Sequence, residues 1–199
     1  MKTMSSLIGF DRFADQLATS ISDQVTSINS CYAFNVQGVR RSGRSTFFSQ
    51  VAESLNGNSE SGCRAYVGQL NEATLHGFAE VLSEMVATSG DVDCDVSNFA
   101  QEFRGVDSFF TLCNDLNRLD GNAPVFLIDM GQALDEAASA GGFEAVNELT
   151  RLLRAIYNLL SERNIHLGLG IGTTQAFVHA YNMHFGDVYT QRYQSVITL

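Results

Sequence analysis

Two glycines, Gly38 and Gly43, stand between two segments of different periodicity. Before them, Cys31-Tyr32-Ala33-Phe34-Asn35-Val36-Gln37 alternates and is rich in β-forming residues, which predicts a strand over 31–37. After them, residues 45–55 place Phe47, Phe48, Val51 and Leu55 on one face of a helix, and Asn56-Gly57-Asn58 stops it. A chain that passes from strand to helix through so short a glycine turn is committed to a β-loop-α unit. Its next strand then has to lie parallel to the first, so a parallel sheet covered by helices is expected.

The turn itself reads Gly38-Val39-Arg40-Arg41-Ser42-Gly43-Arg44-Ser45. That is the spacing G-x-x-x-x-G-K-[ST] of a phosphate-binding loop, with Arg44 in the place of the lysine. Such a loop works because backbone N–H groups converge on phosphate at a helix N-terminus, helped by the helix dipole. Gly38, Arg40, Arg41, Ser42, Gly43, Arg44, Ser45 and Thr46 are therefore the expected nucleotide-binding residues. Arg44 is expected to meet the β- and γ-phosphates, and Ser45 to coordinate Mg2+. The only lysine of the chain is Lys2, so no lysine in the folded body can replace the missing one.

The rest of the chain supplies further strands and helices. Residues 7–28 carry Leu7, Phe10, Phe13, Ala14, Leu17, Ile21, Val25 and Ile28 at helical steps and predict an amphipathic helix. A second strand is expected at 63–68, a helix at 73–87, and helix in one or two pieces over 96–119. Asp120-Gly121-Asn122-Ala123-Pro124 reads as a breaker. Val125-Phe126-Leu127-Ile128 then forms a buried strand that ends in Asp129, the position from which an aspartate holds Mg2+ in P-loop enzymes. A long helix is expected over 143–163, a fourth strand at 165–171 running into Gly172-Thr173-Thr174, helical or irregular chain at 175–184, and a last strand at 193–199. Thr173 or Thr174 either touches the γ-phosphate and attacking water or caps the next helix. Asp135 and Glu136 read as a solvated helix start.

Composition narrows the function classes. The 199 residues suffice for one ordinary domain. No apolar run approaches the ~20 residues of a membrane span, and the N-terminus lacks the apolar core of a signal peptide, so a soluble cytoplasmic protein is expected. The net charge of −10 argues against a nucleic-acid backbone as partner. Cys31, Cys63, Cys94 and Cys113 show no zinc spacing and are expected to be reduced and mostly buried.

The loop at 38–45, the acidic strand end at Asp129 and the helix at 10–17 before the first strand resemble an ASCE-type P-loop ATPase, most closely the AAA+/STAND branch. The resemblance covers residues 10–199. It implies a three-layer α/β/α fold with a mostly parallel five-stranded sheet in the order 5-1-4-3-2. It also implies ATP or ADP and Mg2+ as ligands, with Ser45 and Asp129 holding the metal and Arg44, Asp129 and Thr173 acting in catalysis. Residues 1–30 would form a helix packed on the core and 31–199 a core without the family's helical lid. Three positions depart from the pattern: Arg44 for lysine, Met130 where an acidic base follows the metal-binding aspartate, and the missing lid. Arg163 and Arg192 are the candidates for arginine fingers acting in trans. The departures favour a nucleotide-dependent switch or assembly module, with a protein partner or self-assembly and weak or no hydrolysis. The alternatives are an active ATPase using Arg44 and a protein-binding scaffold that has lost the nucleotide.

Overall fold

The computed structural model describes residues 10–27, 31–90, 94–160, 162, 165–186, 189 and 193–199. The elements follow one another as α1 (Phe10–Thr26), β1 (Cys31–Gly38), α2 (Arg44–Gly57), β2 (Cys63–Gln69), α3 (Leu75–Ser89), α4 (Phe99–Glu102), α5 (Val106–Asp120), β3 (Ala123–Asp129), α6 (Gly131–Ser139), α7 (Phe143–Leu160), β4 (Leu167–Thr174), α8 (Gln175–Phe185) and β5 (Ser195–Thr198). The expected helix ends at Leu7, Ile28 and Arg163 lie outside the described residues.

The five strands form one parallel sheet in the order β2-β3-β4-β1-β5. This is the order the resemblance implied. The chain leaves β1 for the far edge at β2, then returns through β3 and β4. Because parallel crossovers are right-handed, reversing the direction of travel puts the connecting helices on opposite faces. The core divides accordingly. On one face α1 and α2 bury Leu17, Ile21, Phe47, Phe48 and Val51 against Phe34 and Val36 of β1 and Val125 and Leu127 of β3. On the other, α3 and α5–α8 bury Phe78, Phe109, Leu149, Ile156 and Phe177 against Phe126, Ile128, Leu169 and Ile171. Helix α1 shares its hydrophobic layer with α2 and β1 and has no separate core.

Several boundaries differ from the sequence reading; β4 runs over 167–174 rather than 165–171, and β5 over 195–198 rather than 193–199. Strand β3 begins at Ala123 and includes Pro124, which pairs with Arg64 of β2. Pairing with β4 starts only at Val125, so the missing N–H of proline falls outside that ladder. The stretch at 96–119, expected as helix in one or two pieces, holds two, α4 and α5, separated at Gly105, whose φ of 85° is a left-handed value suited to glycine. Helix α6 is an element of its own, beginning two residues after Asp129.

The four cysteines form no disulfide among the described residues; Cys31, Cys63 and Cys113 are buried and Cys94 is partly so. Burial pushes the Cys31 and Cys63 thiols up to about 11 and raises the Cys113 thiol well above its ordinary value, so they stay protonated at neutral pH. No helix among the described residues is long and apolar enough to cross a membrane.

Candidate functional site

The carboxyl ends of β1, β2, β3 and β4 open onto one cavity of about 350 Å³. Its wall is the whole loop 40–46 together with Gln69, Asp129, Gln132, Asp135 and Thr174. This is where open α/β sheets bind ligands, since the strand ends and helix N-termini converge there. The loop is held by a turn in which Ser42 N–H donates to the Val39 carbonyl at 3.1 Å. A Cβ at Gly38 would collide with the Ser42 side chain, so the first glycine is required by close approach. Gly43 takes a left-handed φ of 88°, as does Arg41 at 66°. Gly43 precedes α2 and supplies no side-chain cap. The first N–H groups of α2 therefore have no intrahelical or side-chain acceptor, which is the arrangement that suits an anion.

Arg44 begins α2, yet its side chain is 7% exposed. Its Nη1 donates to the Gly38 carbonyl at 2.9 Å and the Val39 carbonyl at 3.1 Å. Its Nε donates to Oδ1 of Asp129 at 3.3 Å, an ion pair with both partners more than nine-tenths buried. Nη2 makes no hydrogen bond to a described residue. The guanidinium thus ties the loop to the end of β3. A notch makes room for it: a Cβ at Gly131 would collide with Nη2.

Both carboxylate oxygens of Asp129 accept hydrogen bonds. Oδ1 also accepts the Gly131 N–H at 3.1 Å, and Oδ2 accepts the Ser45 hydroxyl at 2.7 Å. Ser45 and Asp129, the expected metal ligands, are brought together but are bonded to each other. Among the described residues no group of three His, Cys, Asp or Glu side chains is placed to hold a metal ion.

Thr173, expected at the γ-phosphate, is not among the residues that line the cavity. Its side chain is fully buried and donates to Oδ1 of Asn35 at 3.1 Å, away from the cavity. Asn35 in turn donates to the Ile171 carbonyl. The threonine on the cavity wall is Thr174, which caps α8 by accepting the Phe177 N–H at 2.9 Å and donates to Asp135 at 2.5 Å. Asp135 is thus part of the cavity wall rather than a solvated helix start, whereas exposed Glu136 is bonded by Gln132. Met130, in the place of the acidic base, is fully buried. Gln69, Gln132 and Asp135 were not singled out as site residues from the sequence. The signal for Asp135 is its spacing of four from Gly131, which puts both on one face of α6. Arg163 and Arg192 lie outside the described residues.

No protein-family model matches the sequence, and no curated protein matches it. Solved structures do. The ORC2 protein of Aeropyrum pernix in ADPNP–ADP complexes is similar over 94% of this chain and 47% of that one, with a TM-score of 0.65 and 13% identity. A chain of Drosophila ORC bound to GC-rich DNA and Cdc6 is similar over 95% of this chain and 28% of that one, with a TM-score of 0.54 and 16% identity. A chain of the E. coli MS115-1 HORMA:CdnC:Trip13 complex is similar over 96% and 63%, with a TM-score of 0.51 and 11% identity. The chain therefore spans about half the length of the ORC2 chain. Its α/β fold, with one parallel five-stranded sheet flanked by helices, is P-loop NTPase-like.

Proposed function

We propose that this is a nucleotide-binding domain whose loop 38–46 receives the phosphates of ADP or ATP. It would act as a nucleotide-dependent switch or assembly module with weak or no hydrolysis. The observation that carries the reading is the uncapped start of α2, facing a 350 Å³ cavity through a glycine loop of phosphate-binding spacing. The nucleotide complexes of the similar ORC2 structure support it. Weak turnover follows from Met130: no carboxylate follows Asp129 to orient water, and the Met130 side chain is sealed in the core. A protein partner or self-assembly is in keeping with the multi-protein complexes in which the similar ORC and Trip13-complex chains are found.

Mg2+ was expected on Ser45 and Asp129. As they stand, an ion at these residues would compete with the bonds that Asp129 accepts from Arg44, Gly131 and Ser45.

Thermal unfolding with increasing ADP tests the reading. A ligand at a hundred times its Kd stabilises by about 2.7 kcal/mol, which in a domain of this size raises Tm by about 5–10 °C. The expected result is a saturable rise with ADP and with ATP. No rise at millimolar nucleotide would leave the protein-binding scaffold as the better account.

A further inference from the structure

Arg44 and Asp129 together point to the ionic form of the ligand, an inference that rests on the nucleotide reading above. Mg2+ requires near-octahedral oxygen ligands at ~2.0–2.1 Å and gives up its waters reluctantly. To reach Oδ1 of Asp129 it would have to displace a guanidinium from a pair buried by more than nine-tenths on both sides, and at Oδ2 it would meet the Ser45 hydroxyl. The displaced guanidinium would also abandon the carbonyls of Gly38 and Val39.

The guanidinium is built into this place. Its planar fork reaches Asp129 with Nε and two loop carbonyls with Nη1 at the same time, which a single ammonium point charge does not reproduce. Gly131 leaves the space that Nη2 occupies. Arg44 lines the cavity, and its Nη2 keeps N–H donors that no described residue accepts. Arg40 and Arg41, both exposed, add two more cations on the same loop. Fixed guanidinium charge is thus already present where phosphates would bring a need for cations.

The geometry points to a site that takes nucleoside diphosphate or triphosphate free of divalent metal, with the Arg44 guanidinium standing where the ion would be needed. Asp129 then serves to hold Arg44 in place and is not a metal ligand. Gly131 is a positioning residue for the same group.

Calorimetric titration of ADP into the wild-type chain, once with saturating Mg2+ and once with excess EDTA, tests this. The affinities are expected to agree within about threefold. In Arg44→Lys the fork is lost, Asp129 is released, and binding is expected to become at least about tenfold tighter with Mg2+ than with EDTA. In Gly131→Ala the added methyl crowds Nη2 and Cζ of Arg44 and the Thr174 methyl, and a cooperative thermal transition without ligand shows that the variant is folded. Its ADP affinity in EDTA should fall about tenfold. Wild-type binding that weakens tenfold or more in EDTA overturns the inference and leaves the nucleotide reading intact. Absence of binding in both buffers overturns the nucleotide reading itself, and this inference with it.

Discussion

Arg44 and Asp129 are a buried ion pair, and such a pair has an asymmetric energetic signature. Forming it contributes little net stability, but removing one partner leaves the other charge buried and alone, at a cost of about 3–5 kcal/mol. Asp129→Ala is therefore expected to lower Tm by roughly 6–20 °C, measured without nucleotide, although Asp129 lies at a cavity wall rather than in the apolar core. A change of less than about 2 °C would mean that Arg44 finds water or other partners and that the pair does not hold the loop. The meeting of these two residues at the site was legible from spacing: a glycine loop upstream, an apolar strand ending in aspartate downstream. The direct bond between them was not. A lysine motif carries no information about where a guanidinium will fold back, and that is decided by the space at Gly131. The choice between Thr173 and Thr174 was equally out of reach. Neighbouring residues of a strand point to opposite sides, so one position separates a hydroxyl buried on Asn35 from one on the cavity wall.

Among the elements, α6 and α8 carry what the sequence pattern concealed. Helix α6 starts so soon after β3 that its first turn faces the cavity, and Asp135 follows Gly131 on the same face. A periodicity search sees only nine residues with two acids and reads a surface. Helix α8 is fastened to the same place by Thr174, which caps it and holds Asp135. Thr174→Ala removes both bonds. Loss of an N-cap costs about 0.5–2 kcal/mol, so Tm should fall by about 1–8 °C, while Thr174→Ser should restore most of it. Equal Tm values for Thr174→Ala and the wild type would show that α8 is held by its apolar face alone. Of the strands, β1, β2 and β3 were legible within a residue or two of their ends, whereas β4 is shifted to 167–174 from the expected 165–171 and β5 covers 195–198 of the expected 193–199. Pro124 misled only because its place in the register, ahead of the β4 pairing, is not a property of its neighbours in sequence.

At the scale of the whole molecule, the order β2-β3-β4-β1-β5 explains why one cavity collects these groups. With β4 between β1 and β3, the loop after β1, the carboxylate ending β3 and the threonine ending β4 emerge side by side on one edge of the sheet. The two helical layers then fix that edge from both faces, α1 and α2 from one and α3 with α5–α8 from the other. The strand order came from the family resemblance, and hydrophobic runs alone would have left it open. Function at this scale rests on one claim: the cavity at the loop receives nucleotide phosphate. Amide hydrogen exchange of the chain with and without saturating ADP tests it most directly. The expected result is slowed exchange in the segment 38–46, above all at the first amides of α2, with the outer strand β2 unchanged at its amino end. Unaltered exchange across 38–46 under ADP, or slowing confined to another part of the molecule, would contradict it.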